Sequence, residues 1–303
     1  MASTRSEPEV MTAATPREAF DRLLGDLRPK LHRYCARMTG SVIDGEDVVQ
    51  DAMLNAIEAF GDARALANPE GWLFRITHNA ALDHLRRRVR QEAVRSDEDL
   101  DMIADQTASA EARLAAAASM RTFIRLPVAQ RSSIILMDVL GYSLAEIASV
   151  TDLSTAAIKA SLHRGRARLH ALAREPDDMP APRLAEAERS RLAAYVDRFN
   201  ARDFDAVRDM LSDDVRLELV NRSRLSGKEV NTYFGNYGGA RDWRFTAGFV
   251  DRRPAILVRD PEDALKPPAY FILLQWGGNR VATIRDFRHA RYAVEGAEII
   301  VLE

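Results

Sequence analysis

Residues Ser143 to Arg174, SLAEIASVTDLSTAAIKASLHRGRARLHALAR, constrain the fold most, because they spell two short helices and the turn between them. Ser143 followed three residues later by Glu146 is a capping box, which starts a helix at Leu144. Leu144, Ile147 and Ala148 give that helix one apolar face, the period breaks over Val150 to Leu153, and Ser154 supplies a second N-cap. In the helix that follows, Ile158, Leu162, Gly165, Leu169 and Leu172 share one sector, while Ala156, Lys159, Ala160, His163, Arg164 and His170 lie broadly opposite. Between Ser154 and Arg174 the bases Lys159, Arg164, Arg166, Arg168 and Arg174 meet no acid. This is the pattern of a helix-turn-helix that offers one face to a core and the other to DNA. A basic amphipathic helix is also what an ordinary solvated helix looks like, so the preceding helix and the small residues Ala156, Ala157 and Ala160 carry the weight.

The rest of the chain sets the frame. At 303 residues and 47% hydrophobic, it has room for two or three cored domains, and a net charge of −2 leaves DNA affinity to local patches. The lone Cys35 excludes an intramolecular disulfide and a cysteine metal cage, and no cofactor or metal is expected. No apolar run approaches the roughly 20 residues that span a bilayer, so membrane insertion is not expected and the cytoplasm fits. Residues 1–14 read as a disordered tail without the core of a signal peptide.

Thr15, Pro16 and Glu18 open a helix that Pro29 is expected to split or kink. Next, DGEDVVQDAMLNA places Asp44, Glu46, Asp47, Gln50 and Asp51 on the polar side of a helix, suited either to its dipole or to docking. Asn68 to Glu70 begin another, apolar at Trp72, Leu73, Phe74 and Ile76 and strongly basic at Arg86, Arg87, Arg88 and Arg90. Composition then reverses to six acids without a base between Ser96 and Glu111, an alanine-rich helix is expected from about Ala110, and Leu126-Pro127 leads back to the helix-turn-helix.

The segments DGEDVVQDAMLNA, NPEGWLFRITHNAALDHLRRRVR and LPVAQRSSIILMDVLGYSLAEIASVTDLSTAAIKASLHRGRARL, in this order, resemble an extracytoplasmic-function sigma factor of bacterial RNA polymerase. The resemblance implies an alternative sigma factor rather than an enzyme, with core RNA polymerase and promoter DNA as partners; it identifies no anti-sigma partner. It assigns Asp44, Glu46, Asp47, Gln50 and Asp51 to the polymerase-docking face. It assigns Trp72, Asn79, Asp83, Arg86, Arg87 and Arg88 to the start-proximal promoter element, read as a single strand by cations and aromatics. Asp83 serves equally as a salt-bridge partner of Arg86 or Arg87. Ser154, Thr155, Ala156, Lys159, Ala160, His163, Arg164 and Arg166 fall to the upstream element.

About 130 residues follow. A proline-rich linker leads into two helices, one more capping box at Ser226 to Glu229, and alternating segments such as AILVRD and AYFILLQW. Helices first and strands after indicate an α+β domain with a curved antiparallel sheet. This order, with YVDRFNARDFDAVRDMLSDDV, resembles the cone-shaped SnoaL-like branch of the nuclear-transport-factor-two superfamily. The resemblance implies regulation in cis and a pocket with room for a small ligand. Tyr270, Trp276, Arg285, Asp286 and His289 are the candidate pocket residues; Asp286 and His289, three apart on an expected strand, would face opposite sides. The expected fold class is thus two all-α domains followed by one α+β domain. The expected boundaries are 15–95 and 120–174 for sigma regions 2 and 4, an acidic linker at 96–119, a proline-rich linker at 175–184, and the SnoaL-like domain at 185–303. The alternatives are a stand-alone helix-turn-helix repressor and a SnoaL-like enzyme or ligand sensor fused to a DNA-binding module.

Overall fold

Thr15 and Ser143 each close a complete capping box, fixing the first residues of α1 (Pro16–Thr39) and of the first helix of the helix-turn-helix. The computed structural model describes residues 15–59, 61, 67–92, 114–115, 118–175, 179–240, 242–263 and 266–302. The N-terminal tail, most of the acidic linker with the alanine-rich segment, and residues 176–178 of the proline-rich linker lie outside the described residues.

After α1 come α2 (Val42–Glu58), α3 (Pro69–Glu92), α4 (Met120–Ile124), α5 (Val128–Ile134) with a π turn over Ile135–Val139, α6 (Leu144–Thr151) and α7 (Thr155–Leu172). Pro29 does not divide α1, which runs through it unbroken. Proline removes a single helical hydrogen bond, and buried Leu24 before it and Leu31, Tyr34 and Cys35 after it hold both halves against one core. Ser154 caps α7, and Ile158, Leu162, Gly165, Leu169 and Leu172 are all buried. Gly165 is required there: a Cβ would come within 2.7 Å of Ile134 Cδ1, so glycine lets α7 approach α5. The two helical modules share one hydrophobic core, with Phe20, Tyr34 and Phe74 on one side and Phe123, Ile134 and Ile158 on the other.

Two further helices, α8 (Glu186–Asn200) and α9 (Phe204–Arg208), precede a seven-stranded sheet. Its strands are β1 (Leu211–Leu219), β2 (Ser223–Ser226), β3 (Arg244–Val250), β4 (Arg253–Arg259), β5 (Tyr270–Gly277), β6 (Arg280–Asp286) and β7 (Ile299–Val301), with α10 (Asn231–Gly239) between β2 and β3. The order is β2-β1-β6-β5-β4-β3-β7. Every pairing is antiparallel except β1 with β6, so the sheet is mostly antiparallel, in line with the expected α+β domain. The chain comes back beside β1 only after β2, α10 and the β3–β4–β5 meander, and the short turn at Gly278-Asn279 then sends β6 along β1 in the same direction. Phe199 of α8 stacks on Phe245 of β3 at 4.3 Å, and the Asn200 side chain exchanges two 2.9 Å hydrogen bonds with the Phe245 backbone, which fastens the helix layer to the sheet.

Strand β6 ends at Asp286, so His289 follows the strand instead of lying on it, and the expected opposition of the two does not arise. Among the described residues, no helix is long and apolar enough to cross a membrane.

Candidate nucleic-acid interface and a covered acidic face

The outer face of α7 is open. Thr155, Ala156, Lys159, His163 and Arg164 are exposed and Ala160 is half-buried, while Ser154 spends its hydroxyl accepting from the Ala157 amide. Arg166 is different: it donates twice to Asp138 from Nε and Nη2, at 2.9 and 2.5 Å, and so braces α7 against the π turn. The sequence offered no sign of this, since Asp138 lies 28 residues away.

On α3, Asn79 is exposed and Trp72 is half-buried, tilted against Phe20 at 6.3 Å. The arginines at its end are shared among carboxylates. Arg86 pairs with Asp83 at 2.9 Å, Arg87 with Asp51 at 3.5 Å and Arg88 with Asp44 at 3.9 Å. The basic end of α3 thus faces the acidic side of α2, and Asp51 looks toward α3.

The other four residues of the acidic face meet the sheet domain. Arg253 Nη2 of β4 lies 2.6 Å from Asp44 Oδ1. Arg285 of β6 reaches Asp47 at 2.6 Å and Glu218 at 2.8 Å, with its side chain only 19% exposed. Tyr292 donates its hydroxyl to the fully buried Glu46 at 3.0 Å and accepts from Arg28 Nε at 2.8 Å, while Arg28 also pairs with Glu46. The Gln50 amide, oriented by its surroundings, donates to Glu218 and accepts from Arg224. Burial pushes the Asp47 carboxyl above the usual carboxylate range against the pull of Arg285.

A second element locks the same helix end. The turn between β3 and β4 puts Asp251 and Arg252 at φ 47° and 66°, the left-handed region that hairpin turns normally give to Asn-Gly. Asp251 Oδ2 accepts from the Val42 backbone amide at 2.6 Å and Oδ1 accepts from the Glu298 amide at 3.1 Å. Ser41 Oγ takes the Ile43 and Asp44 amides, so the sheet domain completes the N-cap of a helix in another module. Arg252 donates to the Pro180 carbonyl, tying the linker to this turn. Around these polar contacts Ala36, Val42, Ile43 and Met120 join the sheet domain's apolar core. Two charged residues where the hairpin needs positive φ are one sequence signal for this contact.

The candidate pocket residues disperse. Tyr270 and Asp286 come together in the sheet domain's core: Asp286 is fully buried and accepts from the Tyr233 and Tyr237 hydroxyls at 2.9 and 2.8 Å, and Tyr237 meets Tyr270 at 3.0 Å. Burial raises the Asp286 carboxyl, and these hydrogen bonds oppose the rise. Arg285 points to the opposite face, Trp276 sits beneath Arg191 at 5.2 Å, and His289 lies beside Arg222 at 3.2 Å.

Comparison with known proteins matches the sigma-70 region 2 model to residues 23–91 and the sigma-70 region 4 model to residues 120–169. The chain is similar to the ECF RNA polymerase sigma factor SigM of Mycobacterium tuberculosis, 37% identical over 167 residues that cover 54% of this chain and 83% of that protein. It is also similar to SigG of M. tuberculosis, 29% identical over 246 residues with 69% and 65% covered. A third relative is SigJ of the same organism, 28% identical over 237 residues with 75% and 72% covered. The last two matches are too long for the helical modules alone and run into the sheet domain.

Proposed function

Because the chain belongs to the extracytoplasmic-function sigma factors, which direct RNA polymerase to promoters, we propose that its C-terminal domain holds it inactive by covering the surface through which polymerase would be engaged. The observation that carries this reading is the seating of Arg253, Arg285 and Tyr292 on Asp44, Asp47 and Glu46. In the family those acids serve polymerase docking. A cationic polymerase surface and the sheet domain would compete for the same carboxylates, and each charge desolvated by one is lost to the other.

The shared core of the two helical modules supports the same reading. Promoter elements read by Lys159 and Arg164 on α7 and by Trp72, Asn79 and Arg86 to Arg88 on α3 lie on separate stretches of DNA. Modules locked to one another cannot follow both, so engagement requires them to part. On this reading Ser154, Thr155, Ala156, Ala160 and His163 complete the upstream reader, and Arg166 positions α7 from within. The sheet domain, which we assign to the SnoaL-like group by its order of helices and strands, regulates in cis without turnover; its core Asp286 is enclosed by tyrosines. The module boundaries 15–95, 120–174 and 185–303 go with this reading.

Transcription from a cognate promoter by residues 1–175, compared with the full chain in the presence of core polymerase, tests the proposal. The shorter chain should be the more active; equal or lower activity with intact helicity would overturn it. In the same assay Lys159→Ala and Arg164→Ala should each weaken upstream-element use by about 1 kcal/mol or more, and lower the salt dependence of binding by roughly one phosphate contact.

A further inference from the structure

A cavity of about 700 Å³ opens between the C-terminal half of α3 and the second helical module. Leu82, Leu85 and Val89 form one wall, and Val128, Ala129 and Leu153 form the other. Val89 is 64% exposed and Val128 38%, so apolar surface there stands in water. The size falls within the range of roughly 300–1,000 Å³ typical of small-molecule sites.

Two polar features say what kind of molecule fits. His78 lines the cavity while 95% buried, its Nδ1 engaged by the Tyr34 hydroxyl at 2.6 Å. Arg86 and Arg90 stand in the cavity wall, Arg86 keeping its 2.9 Å pair with Asp83, and among the described residues no carboxylate lines the cavity. Asp152, next to the lining residues Thr151 and Leu153, is drawn off by Arg75 at 2.8 Å. Cations over an apolar floor call for an occupant that is apolar along its length and anionic at its head.

We propose that this cavity binds a single-chain amphiphilic anion, with its alkyl chain along the leucines and valines and its head group on Arg86 and Arg90. Such a ligand touches both helical modules at once. It therefore binds the joined arrangement and not the parted one, and by mass action it holds the sigma factor closed. That consequence, though not the site itself, rests on the reading given above.

The test is calorimetric titration of the purified full chain with myristate, with tetradecanol as the uncharged counterpart, and with an acidic amphipathic helical peptide as the macromolecular rival. The expected result is one saturable myristate per chain, with binding at least tenfold weaker for tetradecanol and for each of Val89→Glu and Arg90→Glu. Both substitutions fall on exposed positions, so unchanged circular dichroism is expected alongside. The proposal is overturned by absence of saturable myristate binding, by binding indifferent to both substitutions, by equal binding of the alcohol, or by binding of the peptide in place of the anion. Myristate that binds as expected yet leaves polymerase affinity unchanged would uphold the site and overturn only the closed-form reading.

Discussion

Full-length chain carrying Arg253→Glu and Arg285→Glu should bind core polymerase ten- to a hundredfold more tightly than the wild type. Arg285 supplies the counter-charge for both Asp47 and Glu218, at 2.6 and 2.8 Å. Reversing it places three carboxylates together. Removing one member of a fully buried pair costs about 3–5 kcal/mol, but Asp47 is 44% exposed, so about 2 kcal/mol is the screened figure. Arg253, itself 47% exposed, adds about 1 kcal/mol against Asp44. A total near 3 kcal/mol shifts the docked-to-undocked ratio by about two orders of magnitude, and apparent polymerase affinity scales with the undocked fraction. The buried apolar contacts of Val42, Ile43 and Met120 remain, so release is partial. A charge swap separates the two roles of the acid. Asp47→Arg with Arg285→Glu should restore docking while still removing a polymerase contact, and should therefore be the least active of the set, as measured by fluorescence anisotropy against core enzyme.

The second large effect is on stability at acid pH. His78 is 5% exposed at the heart of the helical core, and burial lowers its imidazole from 6.5 to about 4. A group depressed in this way contributes stability that is complete above its unfolded pKa and is lost as pH falls toward its folded one. The window here is about pH 6.5 to 4, and the loss across it is about 3 kcal/mol. His32, buried against the Val42 carbonyl, is also lowered by desolvation and acts in the same direction. His78→Gln keeps a partner for the Tyr34 hydroxyl but does not titrate. Urea unfolding of the helical core should show the wild type losing stability to this variant steadily from pH 6.5 to pH 4. Parallel pH profiles would show that His78 is not the group responsible.

What the sequence disclosed was local. Capping boxes at Thr15, Ser143 and Ser226, and the apolar sector of α7, involve residues three or four apart, and chemistry at that range is written in the order of the residues themselves. Pro29 misled because its local cost is small beside the tertiary core on both sides of it. The docking of the sheet domain on α2 joins residues more than 200 positions apart, and acids and arginines along a chain do not say which of them meet. One step was nonetheless within reach. Alternation along a strand, applied to Asp286 and His289, also applies to the neighbours Arg285 and Asp286. It sends Asp286 to the tyrosines inside and Arg285 outward, where Asp47 waits. The shared core of the helical modules had no comparable signature, because Phe123 and Ile134 look like any core residues of a small helical domain.

Mutual exclusion of the sheet domain and polymerase on α2 is the central claim, and a distance between the two bodies measures it. Asp26 on α1 and Asp213 on β1 are exposed and can be replaced by cysteine for spin labels, while native Cys35 is fully buried and stays unlabelled. Pulsed dipolar spectroscopy on the free full-length chain should give one narrow distance population. Adding core polymerase should replace it with a longer and broader one, as the sheet domain leaves Asp44, Glu46 and Asp47. Persistence of the free-chain distance in the polymerase-bound complex would contradict the account.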